Sequence, residues 1–167
     1  MKPTIRSLTP NDFNEILTIN NANIPALSGL DLERLQHLVA HSLHALVVEQ
    51  TSIVGFCLAF SNNAPYDSRN YQWFRNRYEH FVYLDRVAFI PEAQGIGLGK
   101  LLYNHLEALM REHSPNQPIC CEVNLEPPNL QSLRFHKRLG FIRIADIDHG
   151  NDYKVVMLEK KLPTKSL

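Results

Sequence analysis

Apolar residues recur along the chain at two spacings, every second residue in some stretches and every third or fourth in others. Thr4 to Leu8 is a short strand. Thr9-Pro10 opens a helix, with Thr9 as N-cap, Pro10 at the first helical position and Asp12 at the third. Its apolar face is Phe13, Ile16 and Leu17. After a loop from Asn20 to Gly29, Asp31 caps a second helix with Leu32, Leu35 and Leu38 turned inward. His44 to Glu49 and Ile53 to Phe60 are strands, and the short polar link Gln50-Thr51-Ser52 makes them a hairpin. Ser61 to His80 is the least periodic stretch, a loop followed by a short helix from Ser68 to Tyr78. Phe81 to Ile90 is a strand. Gly97 to His113 is the strongest helix, with Leu98, Leu101, Leu102, His105, Leu106 and Leu109 on one stripe. A strand from Pro118 to Leu125 and a helix from Asn129 to Leu139, stopped by Gly140, come next. Strands Phe141 to Asp146 and Tyr153 to Lys160 close the pattern through the turn His149-Gly150-Asn151.

The order is a mixed α/β pattern, not a regular alternation of strand and helix. Its 167 residues suffice for one domain with a sizeable core. Seventeen Lys and Arg balance seventeen Asp and Glu, so the basic excess of a nucleic-acid-coating protein is missing. The longest apolar run, Ile53 to Phe60, is too short to cross a membrane, and Met1 to Asp12 has no apolar run of a secretory signal. Three cysteines, Cys57, Cys120 and Cys121, cannot all pair, and adjacent strand residues point to opposite faces. The expectation is three reduced thiols in a cytoplasmic protein.

The most informative segment is Gln94-Gly95-Ile96-Gly97-Leu98-Gly99-Lys100, between a strand and the strongest helix. Glycines there let the backbone approach an anion, and a helix N-terminus offers free N–H groups. The dinucleotide fingerprint G-x-G-x-x-G fails, since Lys100 or Leu102 occupies its last position. The Walker A pattern fails at Gln94 and Leu101. What fits is [Q/R]-x-x-G-x-[G/A], through Gln94, Gly97 and Gly99. The segment resembles the acetyl-CoA-binding motif of the GNAT family of N-acetyltransferases. A second stretch, Asn129 to Phe141, is similar to that family's N-x-x-A-x-x-[FL]-Y-x-x-x-G-F helix, matching at Asn129, Phe135, Gly140 and Phe141. Ser132 is a small residue where the family has Ala, and His136 departs from the usual Tyr.

The resemblance implies a single GNAT-type domain over residues 1–162, a twisted mixed sheet of about seven strands with about four helices on both faces. Residues 163–167 form a polar tail. It implies acetyl-CoA as cosubstrate, no metal, and a primary amine on a small molecule or peptide as acceptor, with direct transfer in a ternary complex. Gln94 to Lys100 would hold the pyrophosphate, and the main chain of Val87, Ala88 and Phe89 the pantetheine arm. Ser132 and Phe135 belong to the same cofactor surface. Asn124 would face pantetheine or substrate, and Asn129 is either a ligand or a helix N-cap.

Amine acylation requires the amine to lose a proton, and alternation puts Glu122, a candidate base, on one strand face with Cys120 and Asn124. Cys121-Glu122-Val123 is similar to the strand in which the family's protein N-terminal acetyltransferases carry a glutamate base. Asp85 is the second candidate, a strand carboxylate paired to Arg86 or Arg143 is the plain alternative for either, and an enzyme with no dedicated base is the remaining reading. By register His136 falls where the family has its Tyr, with protonation of the leaving thiolate as its implied role. His37 and His41 are a helical i,i+4 pair with no third ligand, read as surface residues; His105 is read as a core histidine. The aromatics and arginines between Tyr66 and Tyr78 suggest a substrate-side lid or a homodimer contact. The alternative to an enzyme is a non-catalytic acyl-CoA-binding or sensor module.

Overall fold

The computed structural model describes residues 2–163; Met1 and residues 164–167, most of the expected polar tail, lie outside it. Seven strands form one mixed sheet in the order β1-β2-β3-β4-β5-β7-β6. They are β1 (Thr4–Ser7), β2 (His44–Glu49), β3 (Ile53–Ser61), β4 (Val82–Phe89), β5 (Ile119–Glu126), β6 (Ile142–Asp148) and β7 (Lys154–Lys160). Five helices cover it: α1 (Phe13–Asn21), α2 (Leu32–His41), α3 (Arg69–Arg77), α4 (Leu98–His113) and α5 (Leu130–Arg138). The α/β class, the seven strands and the helices on both faces agree with expectation; α3 brings the α-helices to five.

Each face buries its own core. Leu35 and Leu38 of α2, Ile16 and Ile19 of α1 and Tyr71 and Phe74 of α3 pack on one face with Phe56, Phe60, Tyr83 and Cys120. Leu98, Leu102, Leu106 and Met110 of α4 pack on the other with Cys57, Val82, Leu84 and Cys121. β3 is buried along nearly its whole length because it is an inner strand covered on both sides. All three cysteines are free and buried.

Several side chains depart from the expected faces. Leu32 is exposed, because the Asp31 cap sets it on the solvent side of the first turn. Leu101 is also exposed, while Tyr103 takes an unexpected place inside, and His105 is only part-buried. The Thr9 cap holds as read: Asp12 Oδ2 accepts from Thr9 N at 2.7 Å, although the first turn is a 3-10 helix.

β4 departs from regular pairing on both of its sides. β4 and β5 run parallel but pair only through Val82–Ile119 and Tyr83–Cys120, then part. On its other side β4 carries a bulge. Leu58 of β3 faces Arg86 and Ala59 faces Leu84, which leaves Asp85 without an opposite residue. The bulge reverses the alternation beyond it, so Arg86 joins Tyr83 on the α1 face while Val87 and Phe89 join Leu84 on the α4 face.

Candidate active site

A cavity of about 800 Å³ lies where β4 and β5 part. Its walls are Leu84 to Phe89 of β4, Cys121 to Asn124 of β5, the glycine loop, the start of α5 and the α1–α2 loop. Asp85, Glu122 and His136 all line it. So do the expected cofactor residues Val87, Ala88, Phe89, Gln94, Gly95, Gly97, Gly99, Lys100, Asn124, Asn129, Ser132 and Phe135. Ile96 and Leu98 do not: Ile96 is 62% exposed at the tip of the loop, and Leu98, 6% exposed, turns into the core.

The glycines differ in what they do. Gly95 and Gly97 have φ of 74° and 91°, a region that favours glycine, and a Cβ on either would meet nothing within 4 Å. They let the loop turn and leave its amides open beside the N-terminus of α4. Gly99 is helical, and a Cβ there would lie 3.1 Å from the Phe135 ring. The motif assigns Gly99 to anion approach, but its missing side chain is what lets α5 pack on α4. Gln94 Nε2 donates to the Phe89 carbonyl at 3.2 Å, which ties the loop to the end of β4. Asn129 is the N-cap of α5, accepting from Ser132 N at 3.2 Å.

Glu122 sits just past the last β4–β5 pair. Its Oε2 accepts from the buried Tyr83 hydroxyl at 2.6 Å, and the residue remains part-exposed to the cavity. Burial, then the charge of Asp85, push the Glu122 carboxyl up to about 7, against the opposing bonds from Tyr83 and Asn70. Asp85 is differently placed. Its Oδ1 accepts from Tyr66 at 2.7 Å and its Oδ2 from Arg86 Nε at 3.0 Å. Burial pushes its carboxyl up, with Arg86 and Tyr66 opposing. Both of its oxygens are therefore engaged. Arg143 is elsewhere, paired with Asp146.

Arg86 is committed largely to structure. Besides Asp85, it donates to Asn20 Oδ1 at 3.0 Å and to the carbonyl and hydroxyl of Ser28, both at 2.8 Å. It thereby anchors the α1–α2 loop across the cavity, and Asn124 Nδ2 meets the same loop at the Pro25 carbonyl, 3.3 Å away. Asn70 of α3 donates to the Tyr153 hydroxyl at 3.1 Å and accepts from His149 at 2.7 Å, which fixes the β6–β7 hairpin to α3.

His136 is buried, and both ring nitrogens are taken. Nδ1 donates to the Ser132 carbonyl at 2.8 Å, so in the neutral ring Nε2 accepts from the Tyr103 hydroxyl at 2.7 Å. Burial holds the imidazole below its ordinary value. The expected proton donor is therefore a neutral ring that orients a tyrosine from the neighbouring helix.

Tyr83, Tyr103 and Tyr153 are site residues that sequence reasoning missed, whereas Tyr66 and Asn70 fall in the stretch it assigned to the substrate side or a dimer contact. Tyr103 had a signal, lying one turn beyond Gly99 on the same side of α4. Tyr71 and Phe74 are fully buried, so the middle of the aromatic stretch is core, and Trp73 packs against it. Only the stretch from Tyr66 to Asn70 reaches the cavity. Among the described residues, no three His, Cys, Asp or Glu side chains gather as a metal site, and no helix is long and apolar enough to cross a membrane.

The family model described as the acetyltransferase (GNAT) family matches residues 13–141. No curated protein matches the sequence. Among solved structures, Ard1 from Thermoplasma volcanium superposes with a TM-score of 0.77 at 18% identity, over 97% of this chain and 99% of that one. Arabidopsis thaliana Naa50 in complex with the bisubstrate analogue CoA-Ac-MVNAL gives 0.73 at 14%, over 97% and 100%. YncA, a putative acetyltransferase from Salmonella typhimurium with its cofactor acetyl-CoA, gives 0.71 at 20%, over 100% and 98%. At these identities the likeness is one of fold.

Proposed function

The chain belongs to the acetyltransferase (GNAT) family, and from that premise we propose that it is an N-acetyltransferase carrying an acetyl group from acetyl-CoA to a primary amine by direct transfer in a ternary complex. The observation that carries this reading is the parting of β4 and β5 with Glu122 at its apex. A strand edge left open on the side of the parting lies beside a carboxylate poised near neutral pH. The solved relatives with acetyl-CoA or a bisubstrate analogue support a cleft that holds both reactants.

Acetyl-CoA supplies an activated thioester. The open amides of the glycine loop and of the α4 N-terminus suit its pyrophosphate. The main chain of Val87 to Phe89, paired to β3 on one side and free on the side facing β5, suits an extended, amide-bearing arm. Glu122 takes the proton that the acceptor nitrogen sheds, and a base that titrates near 7 is half ready at neutral pH. The nitrogen bonds to the acetyl carbon as the carbon–sulfur bond breaks. The electron pair leaves with sulfur, which takes a proton from solvent. The products are an amide and a free thiol. Asp85, with both oxygens occupied, raises Glu122 and does not replace it. Tyr103, held by His136, positions the sulfur end of the cleft.

The test incubates the purified protein with acetyl-CoA and a panel of primary amines, following free thiol and acetylated product by mass. Amine-dependent thiol release is expected. Binding of coenzyme A with no release on any amine would favour the acyl-CoA-binding module instead.

A further inference from the structure

A second, smaller cavity of about 280 Å³ opens beside the first and shares Tyr66, Ser68, Asn70, Arg86 and Tyr153 with it. Its size is just under the usual range for small-molecule sites, roughly 300–1,000 Å³. It is preformed. Arg86 pins one wall at Ser28, and Asn70 pins the opposite wall through His149 and Tyr153.

Charge is distributed unevenly along this path. At the inner end are the carboxyl groups of Glu122 and Asp85. At the outer end are Arg34 and Arg69. Arg34 lies 5.6 Å over the Tyr66 ring and pairs with the exposed Asp67, an ion pair of little strength in water. Arg86 spends four of its five N–H groups on Asp85, Asn20 and Ser28. Arg69, the exposed first residue of α3, makes no hydrogen bond or ion pair among the described residues, although it lines the cavity.

We propose that the acceptor is a small zwitterion, an amine carrying its own carboxylate, with the ammonium end drawn to Glu122 and the carboxylate held by Arg69 at the mouth. The inference rests on the transferase reading and adds the acceptor class to it. A guanidinium forms two parallel bonds to a carboxylate, which fixes orientation as well as charge. A polyamine would set a second ammonium against Arg34 and Arg69, an unfavourable like-charge approach. A peptide N-terminus would bring a neutral amide where Arg69 offers a charge.

The experiment compares the common L-amino acids and β-alanine with their carboxamides as acceptors, by thiol release with saturating acetyl-CoA. At least one free acid should exceed its amide tenfold or more in kcat/KM. Arg69→Ala should cut that acid-over-amide ratio at least tenfold, chiefly through KM, with Arg69→Lys retaining part and Arg69→Glu reversing the preference. Amides that serve as well as acids, or a ratio indifferent to Arg69, overturn the zwitterion and leave the transferase standing. No release with any acid, amide or simple amine overturns both.

Discussion

The two ends of the cleft are built by different means. The cofactor end is made of main chain: two glycines at positive φ, the first turn of α4, and the free edge of β4 beyond Tyr83. Its side chains mostly serve the frame, as Gln94 does at Phe89 and Gly99 does under Phe135. The acceptor end is made of side chains brought from β4, β5, α3, the α1–α2 loop and the β6–β7 hairpin. Backbone recognition can be written in a few consecutive residues. Side-chain recognition here needs residues as far apart as Asn70 and Tyr153.

The acceptor end is most sensitive at Glu122. Glu122→Gln should bind coenzyme A normally and lose turnover by roughly 10²-fold or more. In the wild type, kcat/KM should rise through about pH 7 as Glu122 ionises, and the variant should lack that limb. Stability supplies an independent check. A carboxyl raised in the folded state binds its proton more tightly there than in the unfolded chain. Its contribution therefore falls as pH rises from its ordinary value of 4.5 to about 7. The melting temperature of Glu122→Gln relative to wild type should climb across that window. A fully active variant would remove Glu122 as base.

At the other end, Gly97→Val should weaken coenzyme A about tenfold or more by calorimetry, because φ of 91° is costly for a β-branched residue and the amides lose their line of approach. Unchanged affinity in a folded variant would move the anion site elsewhere. The mildest effect is expected where the two ends meet. His136→Phe frees the Tyr103 hydroxyl without removing it, so kcat should fall less than about tenfold and the pH–rate profile should keep its shape. Loss of an alkaline limb would show that the imidazole itself donates the proton.

The same division explains what was legible in the sequence. The elements emerge from hydrophobic spacing, and the glycine loop and the α5 segment from local pattern. Glu122 falls on the expected face because β5 alternates without interruption past it. The face of Arg86 could not be read in the same way, because the bulge at Asp85 inverts the alternation and nothing local marks that extra residue. The roles of Tyr66 and Tyr83 depend on carboxylates 19 and 39 residues away. His136 lines the cavity as expected, but its hydrogen bonds were not legible, because the Ser132 carbonyl and the Tyr103 hydroxyl that engage its ring come together only in the fold.

The short junction between β4 and β5 has a mechanical consequence. Four strands lie on one side of it and three on the other, so the sheet is two jaws joined at a short ladder, with side-chain ties from Tyr83 to Glu122, Asn70 to Tyr153 and Asn124 to Pro25. A molecule lying between the jaws and touching both completes a span that the chain leaves open. Its binding energy then becomes cohesion of the fold, about 2.7 kcal/mol at a hundredfold excess over Kd. A ligand that bridges the jaws is therefore expected to raise the melting temperature of the protein, and its departure to lower it again.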